Sequence, residues 1–228
     1  MDRRIIAFAP EHNHKRKDAQ VVFKPEGRRF LAHHDQRSLQ LTLIDNSRSK
    51  WSQRRDVLRV LRTYKGSLEH ACVAFFCHGY KSGLQLGFKL RHAKILGRRI
   101  AELGDKAPVV VLYACDTARD LDRDRRDDLT EFGGDRGFAD RLRDSLCRYG
   151  AIDCQVDAHT TAGHATRNPN VRRFYGDGSS TGGAGGQYIV PHGHPLWSRW
   201  RESLKTPFRF DFPFLSIEKI HDMLEAGL

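Results

Sequence analysis

The sequence predicts an α/β fold with a mostly parallel central sheet flanked by helices. Two short apolar runs carry that prediction, Cys72-Val73-Ala74-Phe75-Phe76-Cys77 and Pro108-Val109-Val110-Val111-Leu112-Tyr113-Ala114. Both are continuously apolar and rich in β-branched or aromatic residues, the pattern of strands buried on both faces. Between them, residues 92–103 place Ile95, Leu96, Ile100 and Leu103 at helical spacing, and Gly104 is suited to end the helix. A strand–helix–strand unit of this kind makes its two strands parallel. Their carboxyl ends then lie on one side of the sheet, where open α/β sheets hold their chemistry. His78-Gly79 follows the first run and Cys115-Asp116-Thr117 the second, so an imidazole and a thiol are expected at neighbouring strand ends.

The remaining elements follow in order. Residues 1–35 hold short apolar stretches separated by charge and read as an N-terminal extension packed on the core, with a hairpin at the sheet edge. The main domain is expected over 36–228, including a C-terminal extension. Leu39-Gln40-Leu41-Thr42-Leu43-Ile44 alternates and stops at Asp45-Asn46, as a first core strand would. Ser52 is a candidate cap for a helix whose inner face is Val57, Leu58, Val60 and Leu61, ending at Lys65-Gly66. A small strand is expected at Leu84–Phe88. Residues 116–137 are dominated by charge and read as a solvated loop. Phe138, Ala139, Leu142, Leu146 and Cys147 mark a helix ending before Gly150, and a strand runs from Ala151 to Asp157, ending near His159. Residues 176–186 are glycine-rich and read as a loop. The aromatic residues Trp197, Trp200, Phe208, Phe210, Phe212 and Phe214 are expected to cover a sheet face, with a last helix near Ser216–Leu224.

With 228 residues, 39% of them hydrophobic and 29% charged, the chain suits one α/β domain with extensions. No stretch is long and apolar enough to span a membrane, and none forms the hydrophobic core of a signal peptide. A cytoplasmic location without membrane contact is the expectation. The net charge of +11 is spread over dispersed arginine pairs mixed with acids, the pattern of a solvated surface. A non-catalytic basic module contacting nucleic acid or an acidic protein partner is the alternative reading. Five cysteines, none in a Cys-x-x-Cys pair, make a poor disulfide scaffold. Cys72, Cys77, Cys147 and Cys154 read as small core residues, whereas Cys115 ends a strand.

The order strand, helix, strand-His-Gly, helix, strand-Ala-Cys, helix, strand resembles the core of caspase-like cysteine peptidases. The CHAT branch is the closest in wording. Phe76-Cys77-His78-Gly79 resembles its His-Gly strand end, and Leu112-Tyr113-Ala114-Cys115-Asp116-Thr117 its Leu-x-Ala-Cys-x-Thr element. Gly137-Phe138-Ala139-Asp140 through Tyr149-Gly150-Ala151 sits where that family has a Gly-Leu-Ala helix leading to a Gly-Ala turn. The resemblance covers roughly residues 39–160, with 36 residues between His78 and Cys115. It implies a caspase-like three-layer sandwich and peptide-bond hydrolysis of a protein substrate without a cofactor, and its partners would be that substrate and a regulatory protein. Cys115 would be the nucleophile, and His78 the general base or the group that protonates the leaving amine. The amides of Gly79 and Cys115 would hold the oxyanion. The roles suit the residue types, because a thiolate needs a neighbouring base and a tetrahedral oxygen needs amide donors.

Substrate-binding residues are expected at Asp116, Asp157 and His159. Asp116 either supplies a pocket carboxylate for a Lys or Arg side chain or caps the following segment, and Asp157 either does the same or is a turn residue. His159 belongs to a loop that either positions substrate or joins His164, His192 and His194 in a metal site, although their spacing is not that of a standard zinc site. The arginine-rich stretch 119–126 is a candidate for self-cleavage.

Overall fold

The computed structural model describes residues 4–14, 17–33, 41–118, 137–159, 171–178 and 180–181. Residues 119–136 of the expected loop 116–137, the late histidines His164, His192 and His194, and the C-terminal aromatic segment lie outside the described residues; Thr117 and Ala118, within the expected solvated loop, are buried.

The two apolar runs form β3 (Ala71–Phe76) and β7 (Val109–Tyr113). They pair in parallel from Cys72–Val109 to Phe76–Tyr113. Among the described residues they belong to a seven-stranded sheet in the order β2, β1, β3, β7, β8, β9, β10, where β1 is Arg4–Pro10, β2 Thr42–Ile44, β8 Gln155–His159, β9 Val171–Tyr175 and β10 Ser180–Thr181. The strands from β2 to β8 are parallel; β9 and β10 run antiparallel. The fold is therefore α/β with a mostly parallel mixed sheet. After β3 the chain makes a three-stranded antiparallel meander, β4 (Gly79–Tyr80), β5 (Gly83–Leu84) and β6 (Phe88–Lys89), where one small strand was expected.

Both faces of the sheet are covered. On one face, Val73, Phe75, Val110, Leu112, Val156 and Ala158 pack with three helices: α2 (Lys50–Thr63), α3 (Ala93–Ala101) and α4 (Phe138–Arg148). The other face, carrying Cys72, Ala74, Phe76, Val111 and Tyr113, lies under α1 (Lys24–His33) and the single π-helical turn Ala19–Phe23. Burying these apolar side chains on both faces is the main stabilising term, worth roughly 1.5–3 kcal/mol for each large aliphatic or aromatic residue.

Several expectations need correction. The N-terminal region is no hairpin on an edge: β1 lies inside the sheet, between β2 and β3, parallel to both. It is part of the core and not an extension upon it. Ile5 through Ala9 are all buried, as in any strand covered on two faces. The segment 39–46, expected as the first core strand, supplies the short edge strand β2. Ser49, and not Ser52, caps α2, accepting the Ser52 backbone N–H through its hydroxyl. In α3, Ile95 is exposed, because Ala93, Leu96, Gly97 and Ile100 turn inward. Gly97 is required there: a Cβ would meet the Ser145 side chain of α4 within 2.6 Å. The strand expected from Ala151 begins at Gln155, after a turn at 152–153.

Candidate active site

Strand alternation decides which face each strand-end residue takes. In β3, Cys72, Ala74 and Phe76 face α1; in β7, Val111 and Tyr113 do the same. His78 follows β3 and has its ring on that face, against Phe23, while Cys115 follows β7, so the two residues stand at the carboxyl ends of paired neighbouring strands. The chain after each strand is held in contact with the other. Cys77 N–H donates to the Tyr113 carbonyl at 3.4 Å. A Cβ on Gly79 would fall 2.7 Å from the Ala114 carbonyl carbon and closer still to the Cys115 oxygen, both backbone atoms with little freedom to give way. Glycine after His78 is therefore a steric requirement of the two loops' approach.

His78 is fixed through both backbone and ring. Its N–H donates to Gln85 Oε1 at 3.2 Å, and its carbonyl accepts the Gln85 N–H at 2.9 Å. The Gln85 carbonyl in turn accepts from Lys50 Nζ at 2.9 Å. The ring meets Phe23 edge-on, with centroids 4.9 Å apart, and lies 5.8 Å from the His14 ring. Its Nε2 is 2.6 Å from Asp18 Oδ2. The other carboxylate oxygen of Asp18 accepts the backbone N–H groups of His14 and Ala19, each at 2.8 Å. The π-helical turn thus delivers a carboxylate to the imidazole from 60 residues away in sequence. Asp18 and Gln85 were not among the residues expected from the sequence. Asp18 had a local signal, an Asx residue ahead of the Val21–Phe23 run, but nothing local named its partner.

Cys115 opens a tight turn. Asp116 has φ +57°, the left-handed region, and is the only non-glycine residue among those described to do so. Aspartate tolerates that region better than most residues, and strained backbone beside reactive groups is a recurrent device. The turn is held from three sides. Thr117 Oγ1 donates to the Ala114 carbonyl at 2.9 Å, Ala118 N–H to the His159 carbonyl at 2.9 Å, and Ala139 N–H to the Thr117 carbonyl at 3.0 Å. The last of these ties the first turn of α4 to the thiol loop.

The other expected substrate contacts have different surroundings. Asp157 is 2% exposed and lies within β8. Its Oδ1 accepts from Arg173 Nε at 2.8 Å, and its Oδ2 from Arg173 Nη2 at 3.1 Å and Gln155 Nε2 at 2.7 Å. An internal arginine from the next strand occupies the place expected for a substrate cation, so Asp157 is no open pocket floor. His159 is buried, with its ring 6.3 Å from Tyr113, and its carbonyl supports the Cys115 turn. It is a wall of the site's foundation and not a residue of a surface loop. Tyr113 is stacked on Phe76 with centroids 4.4 Å apart. Burial, reinforced by Cys72, Asp157 and Glu26, pushes its phenol well above the usual range.

All five cysteines are free thiols. Cys77, on the helical face, is fully enclosed, and burial pushes its thiol up to about 12. Cys115 is partly exposed. Cys147 and Cys154 sit 3.7 Å apart, sulfur to sulfur, and burial followed by the Cys147 neighbour raises the Cys154 thiol. Among the described residues one trio, Glu11, His12 and Asp45, brings potential metal-ligand atoms together. Glu11 and Asp45 are partly exposed and His12 is exposed, and His12 Nε2 already lies 3.4 Å from Asp45 Oδ1. No helix among the described residues is long and apolar enough to cross a membrane.

The assembled groups are a partly exposed thiol, an imidazole braced by a carboxylate, and two backbone turns in contact. This arrangement suits nucleophilic attack at a carbonyl. The chain matches no family model, no curated protein and no solved structure.

Proposed function

We propose that the protein is a cytoplasmic cysteine endopeptidase of the caspase-like type, cutting a protein substrate with Cys115 as nucleophile and His78 as general base. The observation that carries this reading is the pairing of β3 with β7 in parallel register, with Gly79 pressed on the Cys115 backbone. It supports a base and a thiol side by side on one face. His78 takes the Cys115 proton, and the thiolate attacks the scissile carbonyl carbon. The amides of Gly79 and Cys115 hold the tetrahedral oxygen. Collapse breaks the C–N bond, His78 protonates the leaving amine, and water then hydrolyses the thioester to release the acid and regenerate the thiol. Asp116 is retained as a substrate contact, since it directly follows the nucleophile.

A peptidyl acyloxymethyl ketone tests this, read by intact mass and peptide mapping. The probe is expected to label Cys115 alone. Cys115→Ala should abolish labelling, and His78→Ala should abolish turnover of a quenched protein substrate, each by about 10⁴-fold or more, with the fold retained. Cys147→Ala should behave as wild type. Turnover retained in Cys115→Ala would overturn the assignment.

A further inference from the structure

We infer that Asp18 is a positioning residue that fixes which ring nitrogen of His78 carries the proton, so that the working unit is a Cys115–His78–Asp18 triad. The inference rests on the peptidase reading given above and deepens it. The Asp18 carboxylate has two distinguishable oxygens. Oδ1 accepts two backbone N–H groups, from His14 and Ala19, and so must remain an acceptor. Oδ2 faces His78 Nε2 at 2.6 Å. A carboxylate accepts only, so Nε2 carries the hydrogen and donates it. The neutral ring then has its lone pair on Nδ1, the one nitrogen left to take the thiol proton. The Asp18 side chain is 12% exposed and that of His78 30%, so solvent competes little for the carboxylate and more for the ring. Phe23 closes on the ring edge from the same turn and limits its rotation.

This geometry makes an unusual demand on substitutions. In Asp18→Asn the two backbone donors still require an oxygen at the Oδ1 position, so the amide nitrogen is forced to face His78. An amide nitrogen donates, and Nε2 must then accept. The proton moves to Nδ1, and the ring has no lone pair for Cys115. In Asp18→Ala the ring loses its brace but can still adopt the productive tautomer. The isosteric variant should therefore be the worse enzyme. Asp18→Asn is expected to lose about 10³–10⁴-fold in kcat with little change in KM, the cost of a wrong tautomer in a triad. Asp18→Ala is expected to lose about 10²-fold, the cost of a misplaced base. A purely structural role gives the reverse order, because Asn caps a helical turn as well as Asp and Ala does not.

The experiment measures turnover for wild type, Asp18→Asn and Asp18→Ala, together with ¹⁵N chemical shifts of the His78 ring at mildly alkaline pH. Wild type should show a protonated Nε2 and a bare Nδ1, and Asp18→Asn the opposite. Equal tautomers in both proteins, or Asp18→Asn more active than Asp18→Ala, would overturn the proposal. Should Asp18→Ala fail to fold, wild type against Asp18→Asn carries the test through the ring shifts. A wild type without thiol-dependent turnover would sink the peptidase reading, while the ring shifts would still report on Asp18.

Discussion

The two faces of the central sheet bury different things. Toward the three helices α2, α3 and α4, the inward strand residues are Ile6, Phe8, Val73, Phe75, Val110, Leu112, Val156, Ala158 and Phe174, all apolar. Toward α1, the series grows polar from one strand to the next. It passes from Cys72, Ala74 and Phe76 on β3 to Tyr113 on β7, Asp157 and His159 on β8, and Arg173 on β9. The neighbouring thiols Cys77 and Cys115 differ in exposure, Cys77 sealed on the helical face and Cys115 partly exposed. The comparison teaches that one layer supplies cohesion while the other organises hydrogen bonds around the strand ends. Buried polar groups are expensive unless paired, so the gathering of polar strand side chains on the α1 face marks where hydrogen bonding outweighed cohesion within the sheet.

The sharpest way to break this comparison is Gly79→Ala. The added methyl meets the Ala114–Cys115 backbone and the rigid Ala114 Cβ, so it should part the two strand-end loops. We expect a loss of about 10²-fold in kcat/KM from an ångström-scale displacement, with about 1–3 kcal/mol of destabilisation from overpacking. Unchanged turnover and denaturation midpoint would show that the loops are not in forced contact.

A paired test in stability follows, read by urea denaturation. Leu96→Ala on the helical face should cost about 2–5 kcal/mol as a cavity. Arg173→Ala on the α1 face should cost about 3 kcal/mol, because it leaves the Asp157 carboxylate buried without its ion-pair partner. If Arg173→Ala instead leaves stability intact and improves cleavage after Lys or Arg, Asp157 belongs to a substrate pocket after all.

The smallest expected effect is alkaline. Burial raises the Cys77 thiol to about 12 and also raises Tyr113 and Cys154. The folded protein keeps these protons where the unfolded chain, with ordinary values of 9.0 for thiols and 10.0 for the phenol, releases them. The native state then binds more protons, so stability must fall as pH rises from about 9 toward 12. Cys77→Ala should flatten that fall, apart from a constant cavity cost, and iodoacetamide should reach Cys77 only on unfolding. Labelling of Cys77 in the native protein as fast as of Cys115 would erase the distinction between the faces.

The sequence by itself determined the strand–helix–strand unit of β3, α3 and β7, and with it the neighbouring placement of His78 and Cys115. That information is local: apolar runs of strand length, helical spacing, and a short connection whose handedness is nearly fixed. It also located α2, α4 and most of β8. It failed where partners come from far along the chain. The Ile5–Ala9 run has the composition of a core strand, but its place between β2 and β3 depends on pairings that no periodicity encodes. α1 was legible in retrospect, from Pro25 in its first turn and Phe23, Phe30 and Leu31 at helical spacing. β9 was obscured by Arg172-Arg173, whose second arginine is half-buried only because Asp157 stands opposite it in the register. Tertiary structure alone decided which carboxylate meets which cation. It gave Asp157 to Arg173 and Asp18 to His78, because the energy of a carboxylate is set by the charges and donors that folding brings within a few ångströms of it, and not by its neighbours in the chain.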